Sequence, residues 1–300
     1  MAPEHGGEPE ELLKSADLAL YNAKSNGRND FRIYHATMQE MAQTQLSAES
    51  ELRDAIARDE FELHYQPVVD VKTRLISGVE ALVRWRHPTE GLIGPDEFLP
   101  LAESTGLIVA LGGWILQRAC ADAASWPSQV KIAVNISAVQ FQKGNLLDVV
   151  LCTLVETSLA PERLELEITE TSLLDNQEVH LATMRQLKNL GISMALDDFG
   201  TGYSSVTYLT NFPFDKIKID RSFTQGVLNR RDCAAVVCSV IALAQGLGTK
   251  TTAEGIENEE QFEYMRKAGV DLAQGYLFGR PVPIAQLDLS DAPLKKEMVA

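Results

Sequence analysis

Leu164-Glu165-Leu166-Glu167-Ile168-Thr169 alternates an aliphatic side chain with a carboxylate or a hydroxyl at every step. Successive side chains of a β-strand point to opposite faces, so Glu165, Glu167 and Thr169 share one side and Leu166 and Ile168 the other. Farther on, Lys216-Ile217-Lys218-Ile219-Asp220 repeats the pattern: Lys216, Lys218 and Asp220 oppose Ile217 and Ile219. The apolar faces call for a covering layer of helices. The polar faces then turn inward, where charge is costly unless it is paired or bound to metal. Strands of this kind fit a closed barrel with a chemically active interior.

Outward from these two strands, short apolar stretches alternate with helical ones, the rhythm of βα units. Eight segments read as strands: Phe61–Pro67, Gly78–Val83, Lys131–Ile136, Leu164–Thr169, Ser193–Asp198, Lys216–Ile219, Thr251–Glu254 and Leu272–Gly275. Eight strands over roughly 240 residues predict an α/β fold, a TIM-type (β/α)8 barrel. The link Asp70-Val71-Lys72-Thr73-Arg74 is too short for a parallel crossover, which needs about a dozen residues. The barrel is therefore expected to carry one antiparallel strand. Upstream, Leu12, Leu13, Ala16, Ala19, Leu20 and Ala23 recur at helical spacing over Glu10–Ser25, and Asn26-Gly27 stops that helix. Met38–Asp59 reads as a more polar connecting helix.

The chain has 27 basic and 42 acidic residues and a net charge of −15. That balance excludes a duplex nucleic-acid groove, which needs clustered Lys and Arg. It admits an anionic substrate only where metal ions bring the positive charge. Cys120, Cys152, Cys233 and Cys238 form no C-x-x-C pair, and zinc-type spacing is absent. They read as free thiols of a reducing cytoplasm. The longest apolar run, Leu107–Leu116, is interrupted by two glycines and is too short to span a bilayer. Any membrane anchor is expected upstream.

The strand ends carry the chemistry. Glu80 lies on the second strand, Asn135 on the third, Glu167 on the fourth, Asp197-Asp198 on the fifth and Glu254 on the seventh. Lys218 lies on the sixth and Gln274 on the eighth. Barrel active sites form at the C-terminal ends of the strands, so these groups should converge. Any one of them alone would pass for a cap or a salt-bridge residue. Five carboxylates and an amide together make a hard oxygen site, suited to Mg²⁺ or Mn²⁺ and not to zinc. The five carboxylates with Lys218 carry a formal charge of −4, which two divalent ions cancel. Such a pair is a clamp for in-line phosphodiester displacement. Glu170, three residues past Glu167, points away from that face on a regular strand. It reads either as the anchor of a neighbouring loop or as a solvated carboxylate.

These residues sit in longer motifs. Glu80-Ala81-Leu82-Val83-Arg84-Trp85 is preceded by Tyr65-Gln66-Pro67 and followed by Asn135-Ile136-Ser137 with Gln140-Phe141. Then come Glu167-Ile168-Thr169-Glu170, Asp197-Asp198-Phe199-Gly200-Thr201-Gly202-Tyr203-Ser204-Ser205 and Lys218-Ile219-Asp220. Ala253-Glu254-Gly255-Ile256-Glu257 and Gln274-Gly275-Tyr276-Leu277-Phe278 complete the series. Over about residues 50–283 this order resembles the EAL-domain cyclic di-GMP phosphodiesterases.

The resemblance implies a metal-dependent phosphodiesterase of bacterial second-messenger signalling that opens cyclic di-GMP to linear pGpG. It implies that Glu80, Asn135, Glu167 and Asp197 hold one ion, and that Asp197, Asp198 and Glu254 serve a second. Lys218 would orient the attacking water, and Gln274 would support the second-ion side. Gln66, Leu82 and Arg84 would touch the substrate. Ca²⁺ is expected to inhibit. A homodimer formed near the Asp198–Leu209 loop and the helix after Lys218 is also implied.

The N-terminus, with Leu13, Ala16-Asp17, Ala19-Leu20-Tyr21, Ala23-Lys24 and Gly27-Arg28-Asn29, resembles the closing helix of a GGDEF (diguanylate cyclase) domain without its catalytic loop. The expected organisation is a GGDEF-like remnant over 1–36, a connecting helix over 37–49, the barrel over 50–290 and a tail over 291–300. Further GGDEF and sensory segments are expected upstream. Two rivals remain at this stage: a cyclic di-GMP receptor that does not cleave, and an unrelated barrel enzyme such as a Mg²⁺-dependent lyase.

Overall fold

The computed structural model describes residues 8–25, 31–173, 177–200 and 211–290. Most of the Asp198–Leu209 loop, the Asn26-Gly27 stop and the 291–300 tail lie outside the described residues. The chain divides into two compact units, Met1–Asp59 and Glu60–Ala300. The first holds helices α1 (Pro9–Ser25) and α2 (Ala36–Ala57), which pack on each other. Among the described residues no helix is long and apolar enough to cross a membrane.

The second unit is a closed barrel. Its strands are β1 (Phe61–Asp70), β2 (Ile76–His87), β4 (Lys131–Asn135), β5 (Leu164–Thr169), β6 (Ser193–Phe199), β7 (Lys216–Ile219), β8 (Lys250–Ala253) and β9 (Leu272–Gln274). Short strands β3 (Gly91–Ile93) and β10 (Val282–Pro283) extend the edges of β2 and β1. The neighbours run β1-β9-β8-β7-β6-β5-β4-β2, and β1 closes the ring on β2. β1 is antiparallel to both of its barrel neighbours, while the pairs from β2 through β9 are parallel. The five-residue link that forbids a crossover thus sets the direction of one strand.

Between the strands lie α3 (Pro95–Thr105), α4 (Ile108–Ala124), α5 (Ala138–Lys143), α6 (Leu146–Thr157), α7 (Gln177–Asn189), α8 (Arg221–Gly226), α9 (Arg231–Leu247) and α10 (Glu259–Ala268). Their ends follow local chemistry. α10 opens on a reciprocal capping box between Asn258 and Gln261 and closes on left-handed Gly269.

The alternation read from β5 and β7 appears directly in burial. Leu164, Leu166, Ile168, Ile217 and Ile219 are wholly buried, each contributing on the order of 2 kcal/mol of apolar transfer. The opposite faces are almost as dry: Lys218 is 1% exposed, Glu167 2% and Glu165 3%. Charge in such a place needs partners, and the partners define the two ends of the barrel interior.

β1 and β2 are longer than the sequence pattern suggests. Their pairing runs from Phe61↔Trp85 to Val69↔Ile76. It takes in Glu62 and Arg84, polar residues that blunt the apolar signal of a strand. The β2 residues beyond Leu82 have left β4 behind and are supported by β1 and, from Trp85 on, by β3.

Candidate active site

Parallel strands bring their C-terminal ends to one mouth. There Lys218 Nζ lies 2.6 Å from Glu167 Oε2, 2.7 Å from Glu254 Oε1, 3.1 Å from Asp197 Oδ2 and 3.7 Å from Glu80 Oε2. One ammonium therefore faces four carboxylates. Glu80 is fixed from both sides, accepting from Asn135 Nδ2 at 2.7 Å and from Gln274 Nε2 at 2.6 Å. Gln274 Nε2 also donates to Gln66 Oε1 at 3.1 Å, and Gln66 Nε2 donates to the Gly279 carbonyl. This amide chain sets the orientation of Glu80.

Asp197 and Asp198 are consecutive, and regular alternation would send one of them out of the site. The backbone resolves this: Asp198 adopts φ +55°, and the β6–β7 register shifts between Leu196 and Phe199. A left-handed non-glycine residue costs about 1–2 kcal/mol. Here it turns the second carboxylate to the mouth, and Asp198 N donates to Asp197 Oδ1 at 2.9 Å.

Two triads of oxygen ligands result, Glu80–Glu167–Asp197 and Asp197–Asp198–Glu254, each with ligand atoms within 4.8 Å of one another. They share Asp197. Their electrostatics are those of a site short of cations. Burial, joined by Glu80 and Asp197, drives the Glu167 carboxyl well above its ordinary range against the pull of Lys218. Burial together with Asp197 and Glu80 pushes Glu254 up to about 8. Asp198, the most open of the set, is raised by partial burial and then by Asp197. Burial disfavours the Lys218 charge, yet its four acidic neighbours hold it well above the usual lysine range. Glu80 is the exception: burial would raise it, but Lys218 and the Gln274 and Asn135 donors hold it low. Carboxyls that retain protons near neutrality beside paired oxygen triads fit a divalent metal centre.

Above the floor opens a cavity of about 550 Å³, the size of a small-molecule site. Gln66, Leu82, Glu80, Asn135, Lys218 and Gln274 line it. Arg84 shares the β2 face of Glu80 and Leu82 but stands higher, with Nη1 donating to the Val83 carbonyl at 2.8 Å. Burial lowers its pKa, while Tyr276, Asp96 and Glu80 act in the other direction. Glu170 opens a 3-10 turn directly after β5 and is 5% exposed. It is therefore not a solvated carboxylate.

Sequence reading missed part of the rim. Asp96, Asp220, Arg221, Gln225, Glu257 and Tyr276 also line the cavity. They come from helix ends and loops, which have no periodicity to mark them. Asp220 left a signal as the polar end of the Lys216–Asp220 alternation, and Glu257 and Tyr276 stood in the quoted motifs without a role.

A family model described as EAL domain matches residues 49–281. The chain belongs to the EAL-domain family. It is 43% identical over 289 residues to the bifunctional diguanylate cyclase/cyclic di-GMP phosphodiesterase MucR of Pseudomonas aeruginosa, covering 95% of this chain and 42% of that protein. It is 42% identical over 290 residues to the cyclic di-GMP phosphodiesterase NbdA of the same organism, covering 95% and 37%. A solved structure of the PaMucR phosphodiesterase in complex with c-di-GMP superposes with a TM-score of 0.78 at 43% identity, covering 81% of this chain and all of that one. The chain spans 34–42% of the length of these and two further curated relatives it matches. In this EAL barrel the name-giving Glu80-Ala81-Leu82 lies on β2, with Glu80 in the acidic cluster and Leu82 on the cavity wall.

Proposed function

We propose that this chain is a divalent-metal-dependent phosphodiesterase that hydrolyses cyclic di-GMP to linear pGpG in bacterial second-messenger signalling. The observation that carries the reading is the pair of oxygen triads sharing Asp197 around Lys218, on the floor of the cavity. The strong matches to MucR and NbdA supply the substrate. Glu80, Asn135, Glu167 and Asp197 hold one ion, and Asp197, Asp198 and Glu254 hold the other, Mg²⁺ or Mn²⁺ by the hardness of the donors. Bound there, the ions polarise the phosphate and acidify the attacking water.

The remaining work belongs to the side chains. Lys218, held by Glu167, Asp197 and Glu254, orients the water and stabilises charge that grows on the phosphoryl oxygens. Gln274 keeps Glu80 in register. Gln66 and Leu82 line the substrate's path, and Arg84 swings from the Val83 carbonyl to a phosphate. The water oxygen bonds to phosphorus and one P–O3′ bond breaks. The leaving 3′-oxygen gains a proton, and the product has one 5′-phosphate and one free 3′-hydroxyl.

Glu170, buried beside β6, holds the loop that begins at Asp198. A homodimer formed through that loop and α8 couples assembly to the geometry of Asp197 and Asp198. Residues 1–36 are the end of a GGDEF-like domain, joined through a connecting helix over 37–49 to a barrel over 50–290. The whole acts in the cytoplasm.

The deciding experiment is hydrolysis of cyclic di-GMP with Mg²⁺, Mn²⁺, Ca²⁺ or EDTA. Turnover is expected with the first two and lost in chelator. Ca²⁺ should occupy the site and support little turnover, because its longer, looser coordination misplaces the water. Full activity in EDTA removes the proposal, and binding without turnover in Mg²⁺ or Mn²⁺ makes the chain a receptor.

A further inference from the structure

The β1–β2 ribbon carries a ladder of side chains on the face that holds Gln66, Glu80 and Leu82 against the cavity. Gln66 pairs with Glu80 at its root, His64 with Leu82 one step higher, and Glu62 with Arg84 above that. Arg86, two residues past Arg84, falls on the same face. A carboxylate directly opposite a guanidinium across two antiparallel strands is well placed to pair with it, because their Cβ atoms stand about 5 Å apart. Glu62 does not take that partner. Its Oε2 accepts from Nη2 of Arg86, and its Oε1 lies 2.8 Å from Nε2 of His64. Both carboxylate oxygens are thus engaged, one along β1 and one diagonally across to β2.

Arg84 is left in the opposite condition. Among the described residues its guanidinium is in no ion pair, and its one side-chain hydrogen bond goes to the Val83 carbonyl at 2.8 Å. A single backbone carbonyl is a weak claim on a cation whose planar fork suits two oxygens at once. His64 is 9% exposed, and burial followed by the Arg84 charge lowers its pKa. It therefore meets Glu62 as a neutral imidazole that donates one N–H, and it brings no second positive charge beside Arg84.

We infer that Arg86 and His64 are positioning residues: they hold Glu62 off Arg84 and keep that guanidinium free for an anionic oxygen of the substrate, an inference that rests on the phosphodiesterase reading above. Neither residue lines the cavity. Without Arg86, the guanidinium left facing Glu62 is that of Arg84, its own cross-strand neighbour. A phosphate must then displace a carboxylate from Arg84, where in wild type it displaces only a carbonyl.

A crystal structure of Arg86→Ala tests the contact and should show the Glu62 carboxylate on the Arg84 guanidinium. Glu62 still on His64, with Arg84 on the Val83 carbonyl, overturns it. Calorimetric binding of cyclic di-GMP to the Ca²⁺-loaded chain reads the consequence. Arg86→Ala should weaken binding about threefold to fivefold, the upper range for one exposed ion pair that the phosphate has to break. Adding Glu62→Gln should restore wild-type affinity, because no carboxylate remains to capture Arg84. Glu62→Gln alone should bind as wild type does, since Arg84 is free already. His64→Phe should weaken binding in the same direction and be rescued by Glu62→Gln, and failure of either removes His64 from the inference. Wild-type affinity in Arg86→Ala overturns the inference. So does a gain in Glu62→Gln alone as large as in the Arg86→Ala background, because loss of a negative charge then explains the rescue. A chain that binds but does not cleave fails the catalytic reading and still returns these ratios. A chain that binds no cyclic di-GMP fails the substrate reading and the phosphate contact together, while the crystal structure still reads whether Glu62 is held, so the failures are distinguishable.

Discussion

The two ends of the barrel interior are built from the same strands and differ by one repeat of the same alternation. At the closed end Lys216 Nζ meets Glu165 Oε1 at 2.5 Å, and Lys131 Nζ donates to Ser193 Oγ at 2.9 Å. Two residues along β5 and β7, about 6.6 Å by strand rise, Glu167 and Lys218 make the equivalent pair. There Glu80, Asp197 and Glu254 crowd in as well. At the closed end the buried carboxylate has a lysine of its own. At the mouth four carboxylates share the one ammonium. A buried pair in balance closes a barrel, whereas a buried cluster out of balance holds a place for ions.

The comparison breaks if the mouth tolerates loss of its ligands. Asp197→Ala removes the carboxylate common to both triads and should bring hydrolysis of cyclic di-GMP to background in a rate assay. Its circular dichroism should stay that of wild type, since it also relieves repulsion. A measurable rate in this variant would show that the shared carboxylate is dispensable.

Next in size is the contrast between the two lysines. Lys218→Ala should lower turnover roughly 10²-fold, the scale of one preorganised charge stabiliser. Lys216→Ala leaves Glu165 buried without its partner, which costs about 3–5 kcal/mol in denaturant melts, while its rate per folded molecule stays near wild type. Divalent ion should restore stability to Lys218→Ala and not to Lys216→Ala. Equal rate losses in the two variants would erase the distinction between the ends.

Glu170→Ala sharpens it further. The residue belongs to neither triad, yet it adjoins the strand end that carries Glu167. A weakening of the metal midpoint by about 10–100-fold, the usual range for outer-shell partners, is expected in a metal titration of turnover. A wild-type midpoint would mean that the loop does not depend on it.

The smallest effect is a proton count. With Glu254 held near 8, and Glu167 and Asp198 also raised, the ion-free mouth carries protons at pH 7. A divalent ion must displace them, so affinity should fall as pH drops and binding should release about one proton or more. Calorimetry at pH 7 in buffers of different ionisation enthalpy reads that number directly. Zero release would mean that the carboxylates already stand fully ionised.

Much of this was legible in the chain because a strand's period is short and its ends are where barrels do chemistry. The alternation in Leu164–Thr169 and Lys216–Asp220 marked the inward faces. The five-residue link after Asp70 fixed the antiparallel strand. Asp197-Asp198 was legible as a pair of site carboxylates, but the left-handed Asp198 that turns both to one place was not, since aspartate does not announce φ as glycine does. The upper halves of β1 and β2 were hidden by their own charges. Tyr276 and Glu257 stood in quoted motifs without a role, because loops bring residues together through backbone contacts that no spacing encodes.

The direction of β1 has a mechanical corollary. Because this strand runs against the others, the barrel's first residues stand at the mouth and not at the closed end. Phe61 pairs with Trp85, five positions above the Gln66↔Glu80 pair, a reach of about 17 Å by strand rise. The two strands form a stiff ribbon rooted at the very residues that hold one edge of the acidic cluster. A load applied to the chain at Glu60 has no barrel to cross. It bears on that ribbon as on a lever, and the short arm ends at Gln66 and Glu80.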